Sequence, residues 1–165
     1  MAVLSAGAKA PDFRLPTVSH GVLSLADALH RGPVVLSFFK ISCPTCQYAL
    51  PFLERMAQGY SGRSVTVMAV SQNSPEDTKL FQKEYGLSFP IGLDDPANYK
   101  VSNAFGLTYT PTTFLIAPNG TIEISSEGWS LAEVSAINNK IGATLQAPPA
   151  EIIHAGEVVV EFRPG

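Results

Sequence analysis

The sequence has little of what would place it in several large functional classes. Only two of its 165 residues are cysteine, Cys43 and Cys46. A chain of this length buries roughly 70% of the surface it exposes when unfolded, so it needs no disulfide staple, and the two cysteines are not a scaffold. Charged residues make up 15% of the chain, 11 basic against 14 acidic, for a net charge of −3. No Lys/Arg cluster stands out, which argues against a nucleic-acid-binding patch. No apolar run approaches the ~20 residues needed to span a bilayer. The first nine residues lack a basic stretch followed by a long apolar one, so they do not read as an export leader. The chain therefore reads as cytoplasmic, with an exported form trimmed of its leader as the alternative. The three histidines, His20, His30 and His154, are scattered without ligand spacing. With no second cysteine pair to complete four ligands, neither zinc nor any other cofactor is expected.

What is present is an ordinary globular composition, 45% apolar, on a length that suits one domain. Phe13–Leu15 and Val22–Leu25 flank a turn at Ser19-His20-Gly21 and predict a short hairpin. A helical turn over Leu25–Leu29 follows. The β-branched and aromatic run Val34–Phe39 predicts a buried central strand. After the cysteines, Tyr48, Leu50, Phe52, Leu53 and Met56 trace a helix to about Gly59, with Pro51 as a kink inside it. Val65–Val70 predicts a second buried strand. Ser74-Pro75-Glu76-Asp77 is a helix start, and Gly86 its stop. Asp95-Pro96 predicts a short helix running to Gly106. Thr112–Ile116 and Thr121–Ser125 flank Asn119-Gly120, a strong hairpin turn. Ser130 caps a last helix over Leu131–Ile141. Strands separated by helices and then one hairpin predict a mixed sheet covered on both faces. Ala147-Pro148-Pro149-Ala150 marks a boundary. Residues 1–146 form the main domain, and 147–165 an extension that reads as a small hairpin around Gly156.

The chemistry lies in Cys43-Pro44-Thr45-Cys46. A cysteine placed where a strand ends and a helix begins faces the first free N–H groups and the positive end of the helix dipole. Both favour the thiolate, which is the nucleophile. Pro44 suits the first helical position because its missing N–H would be unpaired anyway. Cys46 lies one turn further on the same face, within reach of a disulfide. Cys43 is then the attacking thiol and Cys46, deeper in the fold, the resolving one.

With these segments in place, the chain resembles the thioredoxin-like redoxins, which include the thioredoxins and the alkyl hydroperoxide reductase/thiol-specific antioxidant proteins. The resemblance covers about residues 9–145. It rests on Pro11-Asp12-Phe13, on the strand leading into the cysteine pair, on Pro51 five residues after Cys46, and on Thr110-Pro111-Thr112-Thr113-Phe114. It implies a three-layer α/β thioredoxin-like fold with an added N-terminal hairpin and a C-terminal extension. It also implies that Pro111 is cis and faces the sulfurs, and that Thr110 offers its backbone to an extended substrate. Pro44 and Thr45, between the cysteines, are expected to line the same substrate surface. The implied function is thiol–disulfide exchange with protein thiols, coupled to a reducing or oxidising redox partner. No nucleic-acid or membrane partner is expected, and the chain is expected to be a monomer or weak dimer.

The sequence departs from the thioredoxins proper. Ser42 stands where Trp commonly precedes the first cysteine, Ser37 where a buried acid is frequent, and the central dipeptide is Pro-Thr. One alternative is a peroxiredoxin-like thiol peroxidase using Cys46. That chemistry calls for Thr or Ser at position 43 and an Arg at position 111 to orient the peroxide, and the chain has Cys43 and Pro111 there. The other alternative is a non-catalytic binding module on the same fold, against which the intact cysteine pair argues.

Overall fold

The structure, a computed structural model, describes residues 2–165. The chain opens with an antiparallel hairpin of β1 (Arg14–Pro16) and β2 (Val22–Ser24). The Ser24 side chain accepts the Asp27 N–H and starts α1 (Leu25–Arg31). Strand β3 (Val34–Phe39) is buried at every position and leads into α2 (Pro44–Gly59), which continues through Pro51. Next come β4 (Thr66–Ser71), α3 (Pro75–Tyr85), β5 (Ile91–Leu93) and α4 (Lys100–Ala104). Then follow β6 (Thr112–Ile116), β7 (Ile122–Glu127), β8 (Trp129–Ser130), α5 (Leu131–Leu145) and β9 (Phe162–Arg163).

The central sheet has the order β5-β4-β3-β6-β7. Strands β3, β4 and β5 run parallel, while β6 and β7 return antiparallel. Alternate side chains of β3 point to opposite faces, and this divides the core in two. Val35 and Phe39 join Leu50, Leu53 and Met56 of α2, Phe81 of α3, and Ile137 and Ile141 of α5. Val34, Leu36 and Phe38 face Leu25 and Ala28 of α1, with Val101 and Phe105 at α4. The fold is therefore the three-layer α/β arrangement expected, with the extra hairpin joined to β5 through a Thr17–Gly92 bridge.

Three local expectations change. The short helix starts at Lys100, not at Asp95-Pro96. The Asp95 carboxylate accepts the Ala97 N–H in a local turn, and the helix N-terminus is satisfied by buried Asp94, which accepts the Val101 and Ser102 N–H groups. Helix α5 runs on to Leu145, past Ile141. The third change is at the C-terminus, where residues 151–165 do not fold back on themselves as a hairpin. One turn, with the Glu157 N–H donating to the His154 carbonyl, reverses the chain, and its backbone then bonds to the body. The Val160 N–H donates to the Tyr48 hydroxyl, Trp129 Nε1 donates to the Val160 carbonyl, and β9 pairs with β8. An isolated two-stranded hairpin is marginal in water, whereas α2 and β8 offer partners that are already ordered.

The extension also shares the main core. Ile152 is buried with the α2 and α5 side chains. The Tyr60 hydroxyl bridges the Asn138 carbonyl (2.9 Å) and the Ala150 N–H (3.1 Å). The Arg55 guanidinium donates to both Glu157 oxygens, at 2.6 and 2.9 Å, and to the Ile152 carbonyl. Two outcomes follow from these contacts. Replacing Tyr60→Phe strands buried groups on Asn138 and Ala150, and should lower stability by about 1–3 kcal/mol in chemical denaturation. Arg55, and next the His154 N–H, hold the Glu157 carboxyl down at about 2, against an ordinary value of 4.5. That contribution is complete above pH 4.5 and is lost as pH falls through about 2. Melting curves taken across this window should fall more steeply for the native chain than for Glu157→Gln, and parallel curves would refute the assignment.

Candidate active site

The buried strand β3 ends at Phe39, and the loop after it is held from both sides. The Ile41 N–H donates to the Asn73 side chain, and the Gln47 side chain donates to the Ile41 carbonyl, each at 2.9 Å. Cys43 is thereby set as the N-cap of α2, with extended backbone angles and Pro44 directly after it. The Cys43 sulfur accepts the Cys46 N–H at 3.1 Å. This is the role a Ser or Asp side chain plays at an ordinary N-cap, performed here by a thiol. The Cys43 thiol also donates to the Thr110 carbonyl at 3.3 Å. The sulfur thus lies between the positive end of the helix and a carbonyl oxygen.

Both cysteines are free thiols, and they differ sharply in exposure. Cys43 is half-buried, while Cys46 is wholly buried against the α2–α5 side of the core. Burial pushes the Cys46 thiol well above the ordinary thiol range, and the neighbouring Cys43 thiol adds to the shift. The Thr110–Pro111 peptide is cis, and the Thr110 carbonyl faces Cys43. Pro44 is exposed beside it. The structure thus brings Cys43, Cys46, Pro44, Thr110 and Pro111 together. Thr45 departs from expectation, because it is buried and its hydroxyl donates to the Pro164 carbonyl at 2.7 Å. It faces the C-terminal strand, not an open substrate surface.

Ser37, at the position of the frequent acid, is fully buried and pairs with Thr113 Oγ1 at 2.9 Å across the β3–β6 register. Among the described residues the one buried carboxylate is Asp94, which is already committed to the start of α4. A cleft of about 390 Å³ opens beside Cys43, lined among others by Lys40, Gln72, Tyr99 and Asn103. Sequence reasoning did not assign these residues, because they come from three separate segments, after β3, after β4 and at α4. Gly165 also lines this cleft, and no sequence signal marks it. A larger recess of about 620 Å³ lies between β1 and the Leu93–Ala104 segment and contains no cysteine.

The difference between the two thiols can be measured. Brief iodoacetamide treatment at neutral pH should label Cys43 at least about tenfold faster than Cys46, with Cys46 reacting only after unfolding. Peptide mapping checks this, and equal labelling in the folded chain would contradict the geometry. Since burial raises the Cys46 thiol above its ordinary 9.0, its contribution to stability is complete below that pH and falls away at more alkaline pH.

Comparison with known proteins agrees with this arrangement. The profile of the AhpC/TSA family matches residues 6–125. Thiol-disulfide oxidoreductase ResA of Halalkalibacterium halodurans is 36% identical over 118 residues, covering 71% of this chain and 65% of that protein. ResA of Geobacillus thermodenitrificans is 32% identical over 121 residues, covering 73% and 68%. The chain thus spans about two thirds of the length of these relatives. A solved structure from Chlorobium tepidum, described as a thiol:disulfide interchange protein DsbE, superposes with a TM-score of 0.76 at 30% identity, covering 86% of this chain and 99% of that one. With the motif, the sheet order and the profile match over most of its length in agreement, the chain belongs to the AhpC/TSA family.

Proposed function

We propose that this protein is a thiol–disulfide oxidoreductase that exchanges disulfides with protein thiols through Cys43 and Cys46. The observation that carries the reading is the Cys43 sulfur at the N-terminus of α2, 3.1 Å from the Cys46 N–H and beside the cis Thr110–Pro111 peptide. The names of the ResA and DsbE relatives agree with it.

In the reducing direction, the Cys43 thiolate attacks one sulfur of a substrate disulfide. The substrate S–S bond breaks, a Cys43–substrate disulfide forms, and the expelled sulfur leaves as a thiolate that takes up a proton. Cys46 then loses its proton and attacks the Cys43 sulfur. This breaks the mixed disulfide, releases the second substrate thiol and leaves a Cys43–Cys46 disulfide. Two electrons pass from the protein to the substrate, and an external dithiol restores the pair. In the oxidising direction the same steps run in reverse. The high proton affinity of Cys46 has a use in this cycle. A protonated Cys46 does not compete with Cys43 for the substrate.

A peroxidase working through Cys46 is less consistent with this geometry. Cys46 has no solvent exposure, Cys43 occupies the place of the hydroxyl, and cis Pro111 occupies the place of the arginine. The chain is proposed to act as a monomer or weak dimer.

The test is insulin reduction with dithiothreitol as the dithiol. The native chain should accelerate it, Cys43→Ser should abolish the effect, and Cys46→Ser should accumulate a mixed disulfide detectable by mass. An inactive native chain, or peroxide consumption that survives Cys43→Ser, would overturn the reading.

A further inference from the structure

The last four residues lie against the site, and no step of the exchange cycle uses them. Residues 151–161 are fastened away from the cysteines, through buried Ile152, the Arg55–Glu157 pair and the Trp129–Val160 hydrogen bond. From Phe162 onward the chain turns toward Cys43. Strand β9 pairs with β8 over only two residues. The Arg163 guanidinium lies 5.3 Å over the Tyr48 ring. The Pro164 carbonyl accepts the Thr45 hydroxyl at 2.7 Å. Two glycines make this approach possible. A Cβ on Gly128 would stand 2.5 Å from the Arg163 carbonyl oxygen, and a Cβ on Gly165 would collide with the Thr110 carbonyl oxygen.

Thr45 and Thr110 both border Cys43. One lies two residues along α2, and the carbonyl of the other accepts the Cys43 thiol proton. A polypeptide presenting its disulfide to Cys43 in extended form needs a backbone-lined path there. Pro164 and Gly165 already occupy it. The approach from the cleft of Lys40, Tyr99 and Asn103, with Thr110 and Gly165 at its edge, stays open and reaches Cys43.

We propose that Phe162–Gly165 is a specificity-determining strap that closes the extended-polypeptide path at Cys43, leaves the Lys40–Tyr99 cleft open to compact disulfides, and lifts to admit a protein substrate. The inference rests on the exchange reading and names the substrate class that the same site takes with the strap down. The strap tip is held by a two-residue strand pair, one hydrogen bond to Thr45 and a contact over Tyr48, so it is in equilibrium with a lifted state. The apparent affinity for a polypeptide is then reduced by the fraction of molecules with the strap lifted, while a compact disulfide entering through the cleft is unaffected.

The experiment compares three proteins: the native chain, a chain ending at Glu161, and Gly128→Ala, whose added Cβ, outside the cleft, pushes the Arg163 carbonyl and with it the tip away. Each is pre-reduced and mixed with excess insulin or with dithiobis-nitrobenzoate, and the single-turnover rate is followed. Both strap variants should reduce insulin about tenfold faster, with less than about a twofold change on the small disulfide. An unchanged or slower insulin rate, or an equal rise on both substrates, would overturn the strap. If the shortened chain fails to fold, Gly128→Ala decides by the same criteria. A native chain that reduces neither substrate overturns the exchange reading and the strap with it. A native chain active on both, with an insulin rate indifferent to either variant, overturns the strap alone.

Discussion

The hydrogen bond from the Cys46 N–H to the Cys43 sulfur ties the reactive thiol to the first turn of α2. It has this geometry only because β3 is buried over its whole length and delivers the chain to the helix start at a fixed height. The Asn73 and Gln47 bonds to Ile41 hold the intervening loop. Two identical functional groups, one helical turn apart, then meet opposite surroundings. Cys43 has the helix N-terminus and partial exposure. Cys46 has the apolar packing of α2 and α5. The proposed division of labour, with Cys43 attacking and Cys46 resolving, rests on this contrast in burial and helix polarity.

The polar pair Ser37–Thr113 sets the character of this site further. It lies on directly opposed positions of β3 and β6 and satisfies both hydroxyls inside the sheet. A buried carboxylate at position 37 would bring a titrating group beneath the cysteines, and two hydroxyls do not. The polar groups bonded to Cys43 are the first turn of α2 and the Thr110 carbonyl, while Lys40 lines the same cleft, 5.7 Å over the Tyr99 ring.

The C-terminal segment connects the far side of α2 to the same site. It is bonded to Arg55 and Tyr48 on the helix surface and to Trp129 beside the sheet edge before its tip arrives at Thr45 and Thr110. The aromatic cluster of Tyr48, Phe52 and Trp129, with ring centroids 4.7–5.4 Å apart, gives it a rigid bed. Its own apolar residues Val158, Val160 and Phe162 point outward, and Val159 packs inward. Between Val158 and Phe162 the segment is thus attached mainly through its backbone.

Much of this was legible from local signals. The apolar run Val34–Phe39, the Ser74 and Ser130 caps, the Asn119-Gly120 turn and the Cys43–Cys46 spacing each act within a few residues, so periodicity and capping rules find them. Strand β5 was missed, because three residues after Pro90 carry no pattern of their own and become a strand only by pairing with β4. The delayed start of α4 was hidden for the same kind of reason, since Asp94 is drawn into the core and caps a helix several residues on. The C-terminal segment was misread as a self-paired hairpin because alternation in sequence states which residues can form a strand, not which partner they take. The sequence by itself determined the sheet's main strands, the redox pair and its place at a helix start. Only the tertiary structure decided how deeply Cys46 is buried, which hydroxyl meets Ser37, and that residues 162–165 lie beside Cys43. Those outcomes depend on contacts between segments far apart in the chain, and such contacts are set by the packing of the whole core.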